Sequence, residues 1–490
     1  MPQHMMLFNR KIIYPLLGAL SATCLLIASA HADQRPLAEF DPSEVRAGGE
    51  ATVFKTDRNA FSLPSANMSL MRKLDFNVGN SFFRNPWVIA PASTDARDGL
   101  GPLYNTNACQ NCHIKDGRGH PPEAGDTSAV SMFLRLSIPA STPEQEAQRL
   151  QGTEGVIPDP IYGTQLQDFA VPGFQPEGRM QIEYTYFTET LADGTQVELR
   201  KPHYQIADPA YGAPAENIQL SPRVAPPMIG LGLLEMIPAE AIVAQADPED
   251  ANQDGISGKA NWVWDIQTQA HELGRFGWKA GMPTVMQQNS GAFAGDMGLT
   301  THLHPHTDCM PTQACERAPN GISPESTTGV EVEPHISQAV EFYARNLAVP
   351  ARRHAEDPQV LRGKLLFNEL GCASCHTPHW QTAASEQHPE QSAQNIWPYT
   401  DLLLHDMGDG LADGRAEFHA NGREWRTAPL WGIGLTEVVN GHTYFLHDGR
   451  ARNLTEAILW HGGEAASAQA GFKALDAQDR AAILAFLNSL

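Results

Sequence analysis

Cys109-Gln110-Asn111-Cys112-His113 and Cys372-Ala373-Ser374-Cys375-His376 decide how this chain is read. Both are C-x-x-C-H. Two thiols three positions apart reach the two vinyl groups of one porphyrin, and the histidine that follows stands beneath the iron as an axial ligand. A zinc site would need four ligands drawn together, and a redox C-x-x-C has no use for an adjacent histidine in both copies. The pair predicts two covalently bound haem c groups, attached at Cys109, Cys112, Cys372 and Cys375, with iron held by His113 and His376.

Two further cysteines, Cys309 and Cys315, stand close together in the polar segment TDCMPTQACER. A local disulfide is the expectation for such a pair in an exported protein, and a redox-active disulfide is the sharper alternative. Export is expected from residues 1–32. Arg10 and Lys11 precede a mostly apolar run from Ile12 to Ala28, and Ala30-His31-Ala32 offers small residues at the positions a signal peptidase reads. No later apolar run is long enough for a bilayer, so no membrane span is expected in the mature chain. Haem attachment also belongs to an exported compartment, which points to the periplasm.

Outward from the motifs, the 490 residues suggest several domains. With 34 Lys and Arg against 56 Asp and Glu, the net charge of −22 argues against nucleic acid as a partner, because phosphate binding needs a basic face. A domain of about 100 residues can enclose one haem. Residues 33–180 are expected to form an N-terminal cytochrome-c-like haem domain and 351–490 a C-terminal one, with 181–350 as an insertion. The expected fold class is mainly α. In the insertion, QIEYTYFTETLADGTQVELRKPHYQI alternates β-formers with polar residues around Asp193-Gly194, the signature of a β-hairpin. HISQAVEFYARNLAVPARR reads as a helix ending near Pro350, DPQVLRGKLLFNELGCASCH as a short helix leading into the second motif, and DAQDRAAILAFLNSL as a C-terminal helix. No internal repeat is apparent beyond the two motifs.

Several segments in order, among them STDARDGLGPLYNTNACQNCH, PPMIGLGLLEMIP, GRFGWKAGMPTV, PYTDLLLHDMGDGLADG and FLHDGRARNLTEAILWHGGEA, resemble the di-haem oxidoreductases often described as thiol oxidoreductases. That family looks like a relative of the bacterial di-haem cytochrome c peroxidases. The resemblance implies a reactive N-terminal haem fed with electrons through the C-terminal one, a small-molecule oxidant or substrate, and a periplasmic electron-transfer protein as partner. It also implies a sixth iron ligand fourteen residues beyond His447, where the relatives usually have Met and this chain has His461. Leu454, Ile458 and His461 share a helix face, so His461 can point inward; Met407 is the rival. Bis-histidine ligation sets a lower potential than His/Met. For the first haem, His120, Met297, His302, His304 and His306 are candidates without a spacing argument.

Peroxide chemistry would need a group that moves a proton between two oxygens. Glu235, the lone acid of GLGLLEMIP, is the candidate catalytic residue, with a salt-bridged structural Glu as the bland alternative. Trp425 and Trp431 are candidate electron relays or plain core. Asp250, Asn252 and Asp254, followed by Gly255, match the first half of a calcium loop, but position twelve is Asn261 rather than Glu. The relatives hold calcium near the domain interface, which makes Ca2+ a candidate cofactor. Two other functions fit the same sequence: an electron carrier with both irons closed, and a haem-bearing binding or assembly protein of the cell envelope.

Overall fold

Each C-x-x-C-H motif is followed back to a glycine-containing helix. In the computed structural model, which describes residues 35–122 and 130–490, the helix Leu70–Arg84 crosses Pro334–Arg345, and the helix Pro358–Glu369 crosses Ala477–Ser489. The crossings are built alike. A Cβ on Gly79 would stand 2.0 Å from the Ala339 carbonyl oxygen, and one on Gly363 would stand 1.9 Å from that of Ala482. Only glycine lets the backbones approach so closely. Four residues on, Phe83 meets Tyr343 and Phe367 meets Phe486, each with ring centroids 5.1 Å apart. The same two phenylalanines lie 6.2 Å from His113 and His376 respectively. A repeated Gly-x-x-x-Phe thus carries each motif, which corrects the expectation that no repeat exists beyond the motifs.

The long helices start where the sequence signals. Ser69, Asp357 and Asp476 cap Leu70–Arg84, Pro358–Glu369 and Ala477–Ser489 through their side chains. Ile483, Phe486, Leu487 and Leu490 are buried at the end of the chain. The helix expected to run to Pro350 stops at Arg345. Beyond it Leu347 bridges Pro64 and Pro350 bridges Val53, so the chain leaves the helix to pair with the N-terminal segment.

The expectation of a mainly α fold is corrected. Helix makes up 30% and strand 17%. Strands occur as two-stranded antiparallel sheets among the described residues. The largest is the expected hairpin, Arg179–Thr190 against Gln196–Ala207, turning at Asp193-Gly194. Others join distant segments, as Met132–Ser137 does with Gln219–Val224. Such pairings are set by tertiary partners, so local periodicity does not announce them. Two large cores hold this arrangement. One gathers Phe76, Phe83, Trp87, Tyr343 and Trp431; the other gathers Phe367, Trp425, Trp460, Phe472 and Phe486. No described helix is long and apolar enough to cross a membrane. The expected export signal, residues 1–32, lies outside the described residues.

The crossings yield a stability test. Gly79→Ala and Gly363→Ala should each destabilise by about 1–3 kcal/mol, the cost of overpacking, although alanine is the better helix former. Thermal melts of the variants beside wild type measure this, with a lowered midpoint expected for both.

Candidate functional site

The two motifs adopt the same local shape. Cys109–Cys112 is a single helical turn and Cys372–Ser374 a tighter one, and in each the histidine N–H closes the turn on the first cysteine's carbonyl at 3.0 Å. Both thiols and the imidazole therefore emerge on one side. Cys109, Cys112 and His113 line a cavity of about 230 Å³; Cys372, Cys375 and His376 line one of about 510 Å³. None of the four cysteines is in a disulfide. Cys309 and Cys315, by contrast, are joined as a disulfide.

The imidazoles are held by carbonyl oxygens. His113 Nδ1 lies 2.8 Å from the Pro226 carbonyl and His376 Nδ1 lies 3.0 Å from that of Tyr399. A carbonyl only accepts, so Nδ1 carries the proton and Nε2 keeps its lone pair. Burial lowers both groups to about 4, which keeps the rings neutral. His461 repeats the arrangement: its Nδ1 donates to the Ala457 carbonyl at 2.7 Å, at the end of the helix Leu454–Leu459. That carbonyl is among those a helix terminus leaves without a partner. His461 lines the same cavity as His376, and a charge on His461 would lower the His376 pKa further. Met407 lines that cavity too.

Around the first cavity the structure separates the other candidates. Met297 is buried on its wall, whereas His120, His302, His304 and His306 do not line it. Glu235 is corrected as a cavity acid. It lines neither cavity, pairs with buried Arg345, and accepts the Val285 N–H at 2.6 Å where the helix Val285–Met297 begins. An acid in an apolar stretch is here the half-buried ion-pair partner of a buried arginine, the alternative reading. The acids on the first cavity are Glu154, Asp296 and Glu417. Asp296 is raised by burial against the pull of Arg135 and a hydrogen bond from Gln165. Glu417, despite its burial, is held at about 2 by Arg223 and Arg415. Gln288 and Asn289 complete this polar side, and the buried Asn289 Nδ2 has no partner among the described residues.

Trp425 and Trp431 were candidates from the sequence, whereas Trp278, Arg118, Arg426 and His405 had no local signal. Trp278 and Trp431, Arg118 and Arg426 line both cavities, which therefore adjoin. Trp425 lies on the second cavity alone, stacked on His447 with centroids 3.7 Å apart. Beside Cys375, His405 bonds Asp401 through Nε2 at 2.8 Å and Glu464 through Nδ1 at 2.6 Å. The oxygens of Asp250, Asn252 and Asp254 accept N–H groups of their own loop, and no three His, Cys, Asp or Glu gather as a metal site among the described residues.

Paired thiols and a neutral imidazole with its Nε2 lone pair available, set on each of two adjoining and largely apolar cavities, fit two haems. This defines a class: proteins built to hold two redox centres side by side. The chain belongs to the di-haem oxidoreductase family, whose model, described as "Di-haem oxidoreductase, putative peroxidase", matches residues 43–490. Membership implies haem as the cofactor and oxidoreductase chemistry. No curated protein matches the chain.

His405 supplies a pH test. Burial disfavours its charge, but Asp401, Cys375 and Glu464 overcome that and lift it to about 12. A folded-state value above the ordinary ~6.5 gives stability that is fully present below pH ~6.5 and lost as pH rises toward ~12. The stability advantage of wild type over His405→Gln should therefore be larger at pH 6 than at pH 10, as measured by chemical denaturation at the two pH values.

Proposed function

We propose that this protein is an exported, periplasmic oxidoreductase carrying two haem c groups, with thioether bonds at Cys109, Cys112, Cys372 and Cys375. His113 and His376 are the proximal ligands and His461 is the sixth ligand of the second haem. One observation carries this reading: three half-buried imidazoles on two adjoining cavities are each fixed by a carbonyl at Nδ1, the arrangement that readies Nε2 for a metal. When bound, the haems supply one-electron transfer and, at an open axial position, activation of a small oxidant.

The protein's own groups divide the labour. His376 and His461 face the same cavity and close the second centre, which suits it to electron transfer. Among the described residues His113 is the one imidazole on the first cavity, and Arg135, Gln288, Asn289 and Asp296 form a polar side able to bind a small oxidant. Asp296, raised by burial, is the group suited to give and take a proton there. Trp278 and Trp431, on the shared wall, stand between the centres as aromatic steps for an electron. The electron donor is a periplasmic electron-transfer protein, and the net charge of −22 favours a basic one. Met297 on the first cavity favours a second reading, in which it closes that iron and the protein is an electron carrier.

Two equivalents of haem by pyridine haemochrome are expected from protein matured in an exporting host; one or none would end the reading. Electron paramagnetic resonance then tests the ligands. The oxidised protein should show a high-spin signal from the first haem and a low-spin signal from the second. His461→Met should shift the low-spin signal. An unmoved low-spin signal removes His461, and the absence of high-spin signal favours the electron carrier.

A further inference from the structure

Two guanidinium groups stand where the cavities meet, and neither pairs with a carboxylate among the described residues. Arg118 is buried, 8% exposed, between Trp278 and Phe445, with its guanidinium carbon 5.3 and 5.7 Å from the ring centroids. Its Nη2 donates to the Leu446 carbonyl, and its Nε has no partner among the described residues. Arg426 donates through Nε to the Gly277 carbonyl at 2.9 Å and through Nη1 to that of Thr427 at 3.0 Å. The acids that act on them are already engaged. Asp448 is bound by Arg450 at 2.8 Å, and Asp401 by His405 at 2.8 Å. By contrast Arg223 and Arg415, on the first cavity, both pair with Glu417.

Burying a charge without a counter-charge is costly, and both arginines are pushed down to about 10 by it. The backbone is nonetheless shaped to keep Arg118 there. A Cβ on Gly117 would stand 2.3 Å from the Asn440 side chain, and one on Gly119 would stand 2.3 Å from the Ser131 carbonyl oxygen. The chain enters and leaves Arg118 through two tight passages. Arg118 and Arg426 are also the only Arg or Lys side chains on the second cavity among the described residues.

We propose that Arg118 and Arg426 bind the propionate carboxylates of the second haem and, because both also line the first cavity, hold this charge pair between the two centres. The inference rests on the di-haem reading and deepens it. The arginines are positioning residues: they neither ligate iron nor touch the reacting oxidant. Their chemistry is that of a planar donor fork meeting a carboxylate. Their second effect is electrostatic. A fixed positive charge beside a haem favours the reduced iron, so its loss should lower the potential of the second centre.

The test is a spectroelectrochemical titration of the holoprotein beside Arg118→Gln, Arg426→Gln, Arg118→Lys and Arg426→Lys. Haem content is checked first by pyridine haemochrome, so that a failure of the di-haem reading is seen separately as fewer than two equivalents in wild type. At two equivalents, each Gln variant should shift the ferric/ferrous equilibrium of the second haem toward ferric by tenfold or more, which is a fall of about 59 mV for one electron. Each Lys variant, which keeps the charge, should recover at least half of that shift. Unchanged potentials in the Gln variants overturn the proposal. So do Lys variants that lose as much as Gln, since the side chains would then serve only as packing between Trp278, Phe445 and the loop carbonyls. Where a Gln variant does not accumulate, the Lys variant of the same position decides: a potential within a twofold equilibrium shift of wild type supports the proposal, and a tenfold fall overturns it.

Discussion

An imidazole can serve a metal only if its two nitrogens are told apart, and here backbone carbonyls make that distinction. Pro226, Tyr399 and Ala457 each present an oxygen that must receive a proton, and each receives it from Nδ1 of a half-buried histidine. The rest of the architecture arranges for those oxygens to be where they are. The Pro226 carbonyl follows the strand Gln219–Val224, the Tyr399 carbonyl sits at a left-handed residue, and the Ala457 carbonyl belongs to a helix that stops two residues later. Burial then keeps the rings neutral, so that they remain donors of a lone pair rather than carriers of charge.

Electrostatics divides the two cavities. The first carries acids and several arginines, some paired and one acid raised by burial, so it can exchange protons as well as bind a polar molecule. The second is larger, lined mostly by apolar groups, and carries four histidines, His376, His405, His447 and His461. A wall of tryptophans and arginines is common to both. The proposed proton donor Asp296 thus lies on one side of that wall and the facing pair His376 and His461 on the other, a division that peroxidase-like chemistry with a separate electron entry would use.

How much of this was legible follows from the range of the signals. The cysteines and histidines of the two motifs, the long hairpin around Asp193-Gly194 and the C-terminal helix rest on contacts within a few residues, and their sequence patterns carry them. The helix crossings at Gly79 and Gly363 were written in the chain as a repeated Gly-x-x-x-Phe, but the first copy sits well before Cys109 and the second just before Cys372, so the repeat has no fixed offset from the motif. The short sheets, such as Met132–Ser137 with Gln219–Val224, have no local signature because each strand borrows its partner from elsewhere. Glu235 misled for the same reason: its partner, Arg345, is remote in sequence. His461 was marked by a family spacing; the helix Leu454–Leu459 stops before it, so the helix-face argument does not reach it, yet it lines the cavity of His376.

The two helix crossings differ in how far the chain must travel to complete them. Pro358–Glu369 and Ala477–Ser489 flank the second motif within one stretch, whereas Leu70–Arg84 waits for Pro334–Arg345. A chain made N-terminus first therefore presents Leu70–Arg84, whose Phe83 meets His113, long before its crossing partner exists. Loop closure over that distance is slow compared with local pairing. The first crossing thus stays incomplete across a long stretch of synthesis, while the second needs a shorter one.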